Sequence, residues 1–308
     1  MKVWIPHDQG RELLGDVPKK VTVEVAATPD ELPSDPAGVE FWVPPFFVDP
    51  RAPHVAAKLP DLRVIQLLTA GADHWVGRVP ENVTLHDARG VHDSATAEWV
   101  VAAILAHLRA LPGFARAQTR HDWSYAQATP TDELAGKRVL IIGAGSIGSA
   151  VHARLVPFEV TLTRVARTAR PEEGVHGVAD LPVLLSAADI VVLLVPLTDQ
   201  TRGLVDARFL AALPDGALLV NAARGPVVDT AALVAELVTG RISAALDVID
   251  PEPLPAGHPL WELPNVLITP HVAASVRGLL PRAYRLVGQQ LRRLIAGDPL
   301  INEVVDGY

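Results

Sequence analysis

The chain has 308 residues, of which 49% are hydrophobic and 20% charged, a length that favours two domains over one hydrophobic core. Its formal net charge is −8 and it has no cluster of Lys and Arg, which argues against a nucleic-acid partner, while the absence of cysteine excludes disulfides and thiolate metal sites. No apolar run approaches the ~20 residues of a membrane-spanning helix and no signal-peptide pattern is present, so we expect no membrane partner and a cytoplasmic location.

The first part of the chain is predicted to form a small α/β domain. Five short segments with the β-branched and aromatic content of strands are separated by Pro- and Gly-rich turns: Lys2–Ile5, Val21–Val25, Val39–Val43, Val64–Leu68 and Val83–Leu85. A helix is then predicted over Ala95–Leu111, capped by Asp93 or Ser94 and stopped by Pro112-Gly113. We interpret this helix as the connection into a second domain.

Strands and helices alternate regularly from Lys137 onwards. Several strands are continuous apolar runs, as expected for strands buried on both faces of a parallel sheet, and the alternation indicates a doubly wound sheet. The predicted strands are Val139–Ile142, Val160–Val165, Ile190–Val195, Ala217–Ala222, Ile242–Val248 and Val266–Thr269. A last helix over Val276–Ala296 is predicted to return to the first domain.

A glycine-rich turn follows the first strand of the second domain. The segment VLIIGAGSIG joins an apolar strand to a predicted helix, which is the context that a dinucleotide pyrophosphate site requires. Gly143 permits the tight turn, Gly145 lets the backbone approach the phosphates, and Gly148 lets the helix pack close to the strand. The helix start, with Ser146 and Ile147, offers N–H groups to the anion. The pattern predicts a dinucleotide site, the alternative being a Gly-rich turn without a ligand.

Three polar residues follow predicted strands in the second half of the chain: Arg224, Glu252 and His271. Because ligands of doubly wound sheets bind beyond the carboxyl ends of the strands, the three side chains could converge on one crevice. Arginine suits a bidentate grip on a carboxylate, histidine can exchange a proton with a carbonyl or hydroxyl, and a neighbouring glutamate would hold the histidine ring. With a hydride donor at the glycine turn, they predict a 2-hydroxyacid oxidoreductase. Each residue alone has a structural explanation, so the prediction rests on the combination.

The chain resembles the D-isomer-specific 2-hydroxyacid dehydrogenases over nearly its whole length. The resemblance is carried, in order, by Leu67–Asp73, Ala97-Glu98, the GAGSIG turn, Val195–Thr198 with Thr201, the NAARG and DVIDPEPLP segments, His258–Trp261 and Thr269–His271. It implies an α/β fold of two doubly wound domains, with a Rossmann cofactor domain (94–275) inserted into a flavodoxin-like substrate domain (1–93 and 276–308). It also implies a homodimer.

The resemblance further implies roles for individual residues. Arg224 would orient the substrate and stabilise its carbonyl, His271 would be the acid/base, and Glu252 would tune His271. The turn Ala70-Gly71-Ala72 would bind the substrate carboxylate through backbone N–H groups, and Asp247 would hold the nicotinamide carboxamide. The other cofactor contacts expected are Val195, Pro196, Thr201, Ala222 and Ala223.

The end of the second strand of the cofactor domain departs from the pattern of NAD enzymes. Those enzymes place an Asp or Glu there, ~20 residues after the glycine turn, to bind the ribose 2′-OH. In this chain Ala166 replaces the acid, and Arg164, Arg167 and Arg170 surround it. Arginines would bind a 2′-phosphate that an acid would repel, so we predict NADP(H) over NAD(H), the alternative being a solvated loop. This resembles the NADP-using glyoxylate and hydroxypyruvate reductases of the family, and a small 2-oxoacid is the predicted substrate.

Several alternatives stay open. The main ones are an NAD-dependent enzyme resembling 3-phosphoglycerate dehydrogenase and a non-catalytic, corepressor-like dinucleotide sensor. Phosphite oxidation uses residues similar to Arg224, Glu252 and His271 and stays open as well. Formate dehydrogenases have Gln where this chain has Glu252, which argues against that activity. His121-Asp122-Trp123 could reach a partner subunit's active site or pack in a dimer. The histidines lack paired metal-ligand spacing, so no metal is predicted. Candidates for the substrate side-chain pocket are Phe41, Trp42, Phe46, Phe47, His74 and Trp75.

Overall fold

The computed structural model describes residues 1–28, 33–46, 52–123 and 130–305. The chain divides into two compact units, unit 1 with Met1–His92 and Val276–Tyr308, and unit 2 with Asp93–Ser275. The sequence analysis puts the first boundary between the units one residue later, between residues 93 and 94. It puts the second boundary at the same place, between residues 275 and 276. Unit 2 is thus an insertion into unit 1.

Unit 1 is built on a five-stranded parallel sheet. Its strands are β1 (Lys2–Ile5), β2 (Thr22–Val25), β3 (Val39–Trp42), β4 (Val64–Gln66) and β5 (Thr84–His86), and its helices in the described residues are α1 (Gly10–Leu13), α2 (Ala52–Ala56) and α9 (Leu279–Ala296). The strand order β2-β1-β3-β4-β5 is that of flavodoxin-like folds, which confirms the predicted class.

The long helix α9 closes one face of this sheet. Its side chains Tyr284 and Val287 are fully buried in one cluster with Val3 and Ile5 of β1, while the intervening Trp4 points into the cluster on the opposite face. The return of the chain end therefore completes the core of unit 1, as the predicted last helix requires.

Unit 2 is built on a seven-stranded parallel sheet. Its strands are β6 (Arg138–Ile142), β7 (Thr161–Ala166), β8 (Val175–Gly177), β9 (Ile190–Leu193), β10 (Leu218–Asn221), β11 (Ser243–Leu246) and β12 (Val266–Ile268). The order β12-β11-β10-β9-β6-β7-β8 contains the Rossmann order. After β6 the chain adds β7 and β8 on one side and then β9 to β12 on the other, so the strand order reverses between β6 and β9. The central strands β9 and β10 are buried at every residue, as their apolar runs predict.

Six helices accompany this sheet in the described residues: α3 (Asp93–Leu108), α4 (Leu111–Thr119), α5 (Ser146–Leu155), α6 (Leu181–Leu185), α7 (Ala207–Ala211) and α8 (Thr230–Val238). No single helix of the described chain is long and apolar enough to cross a membrane, although α3 and α4, bent by 68° at their junction, pass that test of length and composition as a pair.

The prediction for α3 is wrong at both ends. Asp93 and Ser94 lie inside the helix rather than capping it; Asp93 accepts a hydrogen bond from the Ser146 hydroxyl. The helix ends at Leu108, and the Pro-Gly pair expected to stop it lies within α4, where Pro112 occupies the first turn and its missing N–H costs no helical hydrogen bond. Ala110, with φ of 51°, makes the break between the helices.

Candidate active site

The turn between β6 and α5 is shaped to receive a phosphate group. A Cβ on Gly143, whose φ is 115°, would lie 2.6 Å from the carbonyl carbon of Leu194, and one on Gly148 would overlap the Gly143 carbonyl oxygen. A Cβ on Gly145 would meet no atom within 4 Å. The turn is thus closed against the loop after β9 and against α5, but open at Gly145, beside the first helical residues Ser146 and Ile147. These residues fit a dinucleotide pyrophosphate.

The loop after β9 borders this turn at the point where the strand order reverses. Thr201 fixes the loop, because its Oγ1 donates to the carbonyl oxygen of Pro196 at 2.6 Å and accepts from the Thr198 N–H at 2.8 Å. Val195 is partly buried and Pro196 is exposed. The predicted cofactor residues Val195, Pro196 and Thr201 therefore belong to one ordered loop at the switch point of the sheet.

The three arginines near the end of β7 have different surroundings. Arg170 Nη2 donates to the carbonyl oxygen of Ala144 in the glycine turn at 2.9 Å, and Arg167 is exposed on the first residue after the strand. Arg164 lies inside β7, where Nη2 donates to the carbonyl oxygen of Glu173. Burial and the charge of Arg164 lower the pKa of His152 on α5. Arg164 therefore lies beside α5, and Arg167 and Arg170 follow the strand end.

The loop that carries Arg224 follows β10 and is packed on the loop that follows β11. Arg224 Nη1 donates to the carbonyl oxygen of Ala223 at 2.9 Å. A Cβ on Gly225 would lie 2.8 Å from the backbone nitrogen of Asp250 and would overlap the Ile249 carbonyl. Only glycine at this position lets the two loops approach so closely.

Glu252 and His271 form a hydrogen-bonded pair. His271 Nδ1 and Glu252 Oε1 are 2.7 Å apart, and the side chains are 49% and 41% exposed, so the pair faces solvent rather than the core. An ionised carboxylate only accepts, so Nδ1 carries a hydrogen and the ring orientation is fixed. Arg224, Glu252 and His271 thus follow three adjacent parallel strands, β10, β11 and β12, at the same edge of the sheet.

Comparison with known proteins places this arrangement in a family. Residues 101–273, more than half of the chain, match the family described as D-isomer specific 2-hydroxyacid dehydrogenase, NAD binding domain. This chain is a D-isomer-specific 2-hydroxyacid dehydrogenase. The glyoxylate reductase of Thermofilum pendens is 35% identical to this chain. The matched region covers 80% of this chain and 76% of the Thermofilum enzyme.

Solved structures resemble the dehydrogenase over both units. A D-isomer specific 2-hydroxyacid dehydrogenase from Xanthobacter autotrophicus Py2, in complex with NADPH and MES, is 34% identical with a TM-score of 0.84, and covers 99% of this chain and 97% of its own. An NADPH-dependent glyoxylate/hydroxypyruvate reductase from Sinorhizobium meliloti, in complex with NADP and sulfate, is 29% identical with a TM-score of 0.83 over 98% of each chain.

His271 of the dehydrogenase is held in a strained backbone conformation. Its φ is 55°, a value uncommon for residues other than glycine. Its N–H donates to the carbonyl oxygen of Asp247 at 2.7 Å. The buried Asp247 carboxylate accepts hydrogen bonds from the Thr269 hydroxyl and from the N–H groups of Val272 and Ala273. In this structure Asp247, predicted from the resemblance to contact the cofactor, fixes the loop on both sides of His271.

Asn221 is a site residue that the sequence analysis misses. It is 1% exposed, its Nδ2 donates to the carbonyl oxygen of Arg224 at 3.1 Å, and its Oδ1 accepts from the Ala223 N–H at 3.0 Å. Asn221 therefore sets the path of the loop that includes Ala222, Ala223 and Arg224. A polar residue directly after the apolar run ALLV is the signal that could have identified it.

The residues of unit 1 that are predicted to bind substrate differ in how far they are buried. In the turn Ala70-Gly71-Ala72, the Gly71 carbonyl oxygen accepts from the Thr69 hydroxyl at 2.8 Å. Phe41, Trp42 and Trp75 are buried core residues, at most 2% exposed, whereas His74 is exposed. Phe46 is partly buried with its ring centroid 5.9 Å from that of His7, and Phe47 lies outside the described residues.

In unit 2, Trp123 of the segment predicted to reach or pack against a partner subunit is 93% exposed.

Proposed function

We propose that this dehydrogenase reduces small 2-oxoacids such as glyoxylate or hydroxypyruvate to D-2-hydroxyacids, with NADPH as the reductant. The proposal is carried by the His271–Glu252 pair, whose 2.7 Å hydrogen bond leaves one ring nitrogen for proton transfer. It is supported by the Arg224 loop on the adjacent strand and by the glyoxylate and hydroxypyruvate reductases among its relatives.

His271 is the proton donor in this reaction. Its Nδ1–H stays bonded to Glu252, and Nε2, which has no hydrogen bond among the described residues, delivers a proton to the substrate oxygen. Glu252 keeps the ring oriented while the proton leaves. Asp247 holds the loop so that this orientation is not lost.

Arg224 binds and polarises the 2-oxoacid. A planar guanidinium matches a carboxylate and stabilises negative charge that develops on the neighbouring carbonyl oxygen. The backbone N–H groups of the turn Ala70-Gly71-Ala72 are the proposed partners of the substrate carboxylate. Reduced nicotinamide, when bound, supplies the hydride to the carbonyl carbon. The backbone at Gly145 and the N–H groups of Ser146 and Ile147 would hold its pyrophosphate, on a turn that Gly143 and Gly148 keep tightly packed.

The preference for NADPH is proposed from the last residue of β7 and the residues that follow it. Ala166 leaves room where NAD enzymes have an acid, and Arg167 and Arg170 carry charge suited to a 2′-phosphate. Arg164 is not included, because its side chain lies beside α5 and bonds the Glu173 carbonyl. The bound NADPH of the Xanthobacter structure and the NADPH dependence of the Sinorhizobium enzyme support this choice.

A homodimer is also proposed, by resemblance to the family. The exposed apolar side chains of Leu111 and Trp123, at either end of the segment containing α4, are compatible with an interface. Light scattering at micromolar concentration tests this proposal, and a monomeric mass would contradict it.

The proposed reaction is tested with a panel of 2-oxoacids. We expect NADPH absorbance to fall with glyoxylate or hydroxypyruvate, and kcat/KM to be lower for branched or aromatic 2-oxoacids. A protein that binds NADPH but reduces no member of the panel would instead be a dinucleotide sensor.

A further inference from the structure

Arg170 has an acidic partner on the turn that follows it. Glu173 lies at the end of the 3-10 turn Pro171–Glu173, and its Oε2 is 2.9 Å from Arg170 Nε. The Glu173 carbonyl oxygen also accepts from Arg164. Glu173 therefore contacts two of the three arginines near the end of β7, one through its carboxylate and one through its backbone.

Arg170 has a second anchor that does not depend on this acid. Its Nη2 donates to the Ala144 carbonyl oxygen at 2.9 Å, which ties the guanidinium to the glycine turn. Glutamine at position 173 could still accept the Nε–H through its amide oxygen. The distinctive contribution of Glu173 is therefore its negative charge rather than the position it gives to Arg170.

We propose that Glu173 is a specificity-determining residue that weakens the binding of the 2′-phosphate; this inference rests on the proposed use of NADP(H). A phosphate on Arg170 carries nearly two negative charges and would share the guanidinium with a carboxylate already bound to it. The two anions repel each other and compete for the same donor group. Glu173 lowers the affinity that the two arginines would otherwise give, and so speeds release of the oxidised cofactor.

The Glu173→Gln variant tests this role in a binding experiment that needs no catalysis. The probes are adenosine 2′,5′-bisphosphate and 5′-AMP, titrated by calorimetry at low salt. We expect E173Q to lower the Kd of the bisphosphate about three- to tenfold, because one like charge is removed next to the 2′-phosphate. The Kd of 5′-AMP should stay unchanged. The effect should shrink as added salt screens the charges.

Glu172 provides the matched control. It lies on the same turn, is exposed, and makes no ion pair among the described residues. E172Q removes the same charge and should change the ratio of the two Kd values less than about twofold, because both glutamates are exposed but only Glu173 is paired with the Arg170 guanidinium. The Glu173→Ala variant removes both charge and hydrogen bond, and should also raise the affinity for the bisphosphate.

Two outcomes are separable. If the parent protein prefers the bisphosphate but E173Q leaves the ratio of the Kd values unchanged or lowers the preference, this inference is overturned while the cofactor proposal stands. If the parent binds the two probes equally well, the NADP(H) proposal fails and this inference fails with it. An unchanged melting temperature of E173Q establishes that the variant is folded.

Discussion

His271 is fixed by more contacts than an ordinary loop residue has. Its left-handed backbone is held by Asp247 from both sides, and its ring is held by Glu252. Strained residues persist only where the surrounding structure over-determines them, and they concentrate at functional sites. The strain at His271 therefore supports its proposed role as the proton donor.

Removal of the His271 ring should stop proton transfer while leaving the cofactor site intact. We expect His271→Ala to lower kcat about 10²–10⁴-fold, the usual contribution of a general acid. The Kd for NADPH, measured by fluorescence, should change little. Glu252→Gln should cause a smaller loss, because an amide can still accept the Nδ1–H. His176→Ala, at an exposed position of the same unit, is the control. Parent-like turnover of H271A would refute the assignment.

Arg167 and Arg170 should account for the preference for NADPH. The double variant Arg167→Ala, Arg170→Ala removes two charge-assisted donors, so KM for NADPH should rise at least about tenfold. KM for NADH should stay within about twofold, since NADH has no phosphate at this position. Steady-state kinetics with both cofactors measures the ratio. An equal rise in both KM values would show a general loss of binding instead.

At the scale of elements, the site depends on how closely loops follow adjacent strands. The loop after β10 carries Arg224 and the loop after β11 carries Glu252, and Gly225 is the contact point between them. Parallel strands bring the loops to one edge of the sheet, but a residue without Cβ is needed to bring them together. The geometry of the trio is therefore a property of the loop pair as much as of the side chains.

A methyl group at position 225 should disturb both stability and activity. Gly225→Ala places a Cβ against the Ile249 carbonyl, and overpacking of this kind costs about 1–3 kcal/mol of unfolding free energy. Because either loop must move, kcat/KM should fall as well. Urea unfolding and steady-state kinetics measure the two effects. Gly257→Ala is the matched control, as its Cβ would meet no atom within 4 Å. Equal behaviour of the two variants would contradict the packing argument.

The elements that the sequence predicts well are those with a strong local signal. Continuous apolar runs and the glycine turn are enough to predict β6, α5, β9 and β10, and hence the Rossmann order. Strand β8 has three residues at the sheet edge and no comparable run. Helix α4 has the pair Pro112-Gly113 in its first turn, a pair that equally well predicts the end of a helix. Short or ambiguous segments are decided by packing, which a local pattern does not contain.

In the candidate site, too, the local sequence predicts some features and packing decides the others. The order of Arg224, Glu252 and His271 after strands is visible in the sequence, but the partners of Asn221 and Asp247 depend on how the loops fold back. Arg164 already lies inside the predicted strand Val160–Val165, but its contact with the Glu173 carbonyl and its place beside His152 depend on how the following turn and α5 pack. Residue types along a chain therefore indicate the chemistry, while the hydrogen bonds that orient it have to be seen in three dimensions.

For the molecule as a whole, histidines that are buried or partly buried make stability depend on pH. Burial lowers the pKa of His7, His86 and His107, as it does that of His152. A histidine with a lowered pKa in the folded state binds more protons when unfolded, so its contribution is fully present above about pH 6.5 and is lost as pH falls. Hydrogen bonds from Lys137 and Arg138 lower the pKa values of Asp132 and Asp189. These carboxylates change the unfolding free energy only at lower pH, near 4 and below.

The unfolding free energy should therefore fall as pH is lowered from about 7.5 to about 5.5. Urea unfolding at several pH values measures the slope. His107→Gln should reduce the slope, because it removes one partly buried histidine whose pKa is lowered. His54→Gln, at an exposed position, is the control and should leave the slope closer to that of the parent. Burial raises the pKa of Asp87, whose contribution to the slope has the opposite sign, so the comparison between variants decides the test. Equal slopes in His107→Gln and the parent would contradict the effect of burial on the His107 ring.

Reduction of hydroxypyruvate by the parent enzyme tests NADPH-dependent D-2-hydroxyacid formation most directly. The assay follows NADPH oxidation, resolves the glycerate enantiomers by chiral chromatography, and is repeated with NADH. We predict one D-glycerate for each NADPH oxidised, and kcat/KM at least about tenfold higher with NADPH, as expected for charge-assisted contacts to one phosphate. Formation of L-glycerate, or equal catalytic efficiency with NADH, would contradict it.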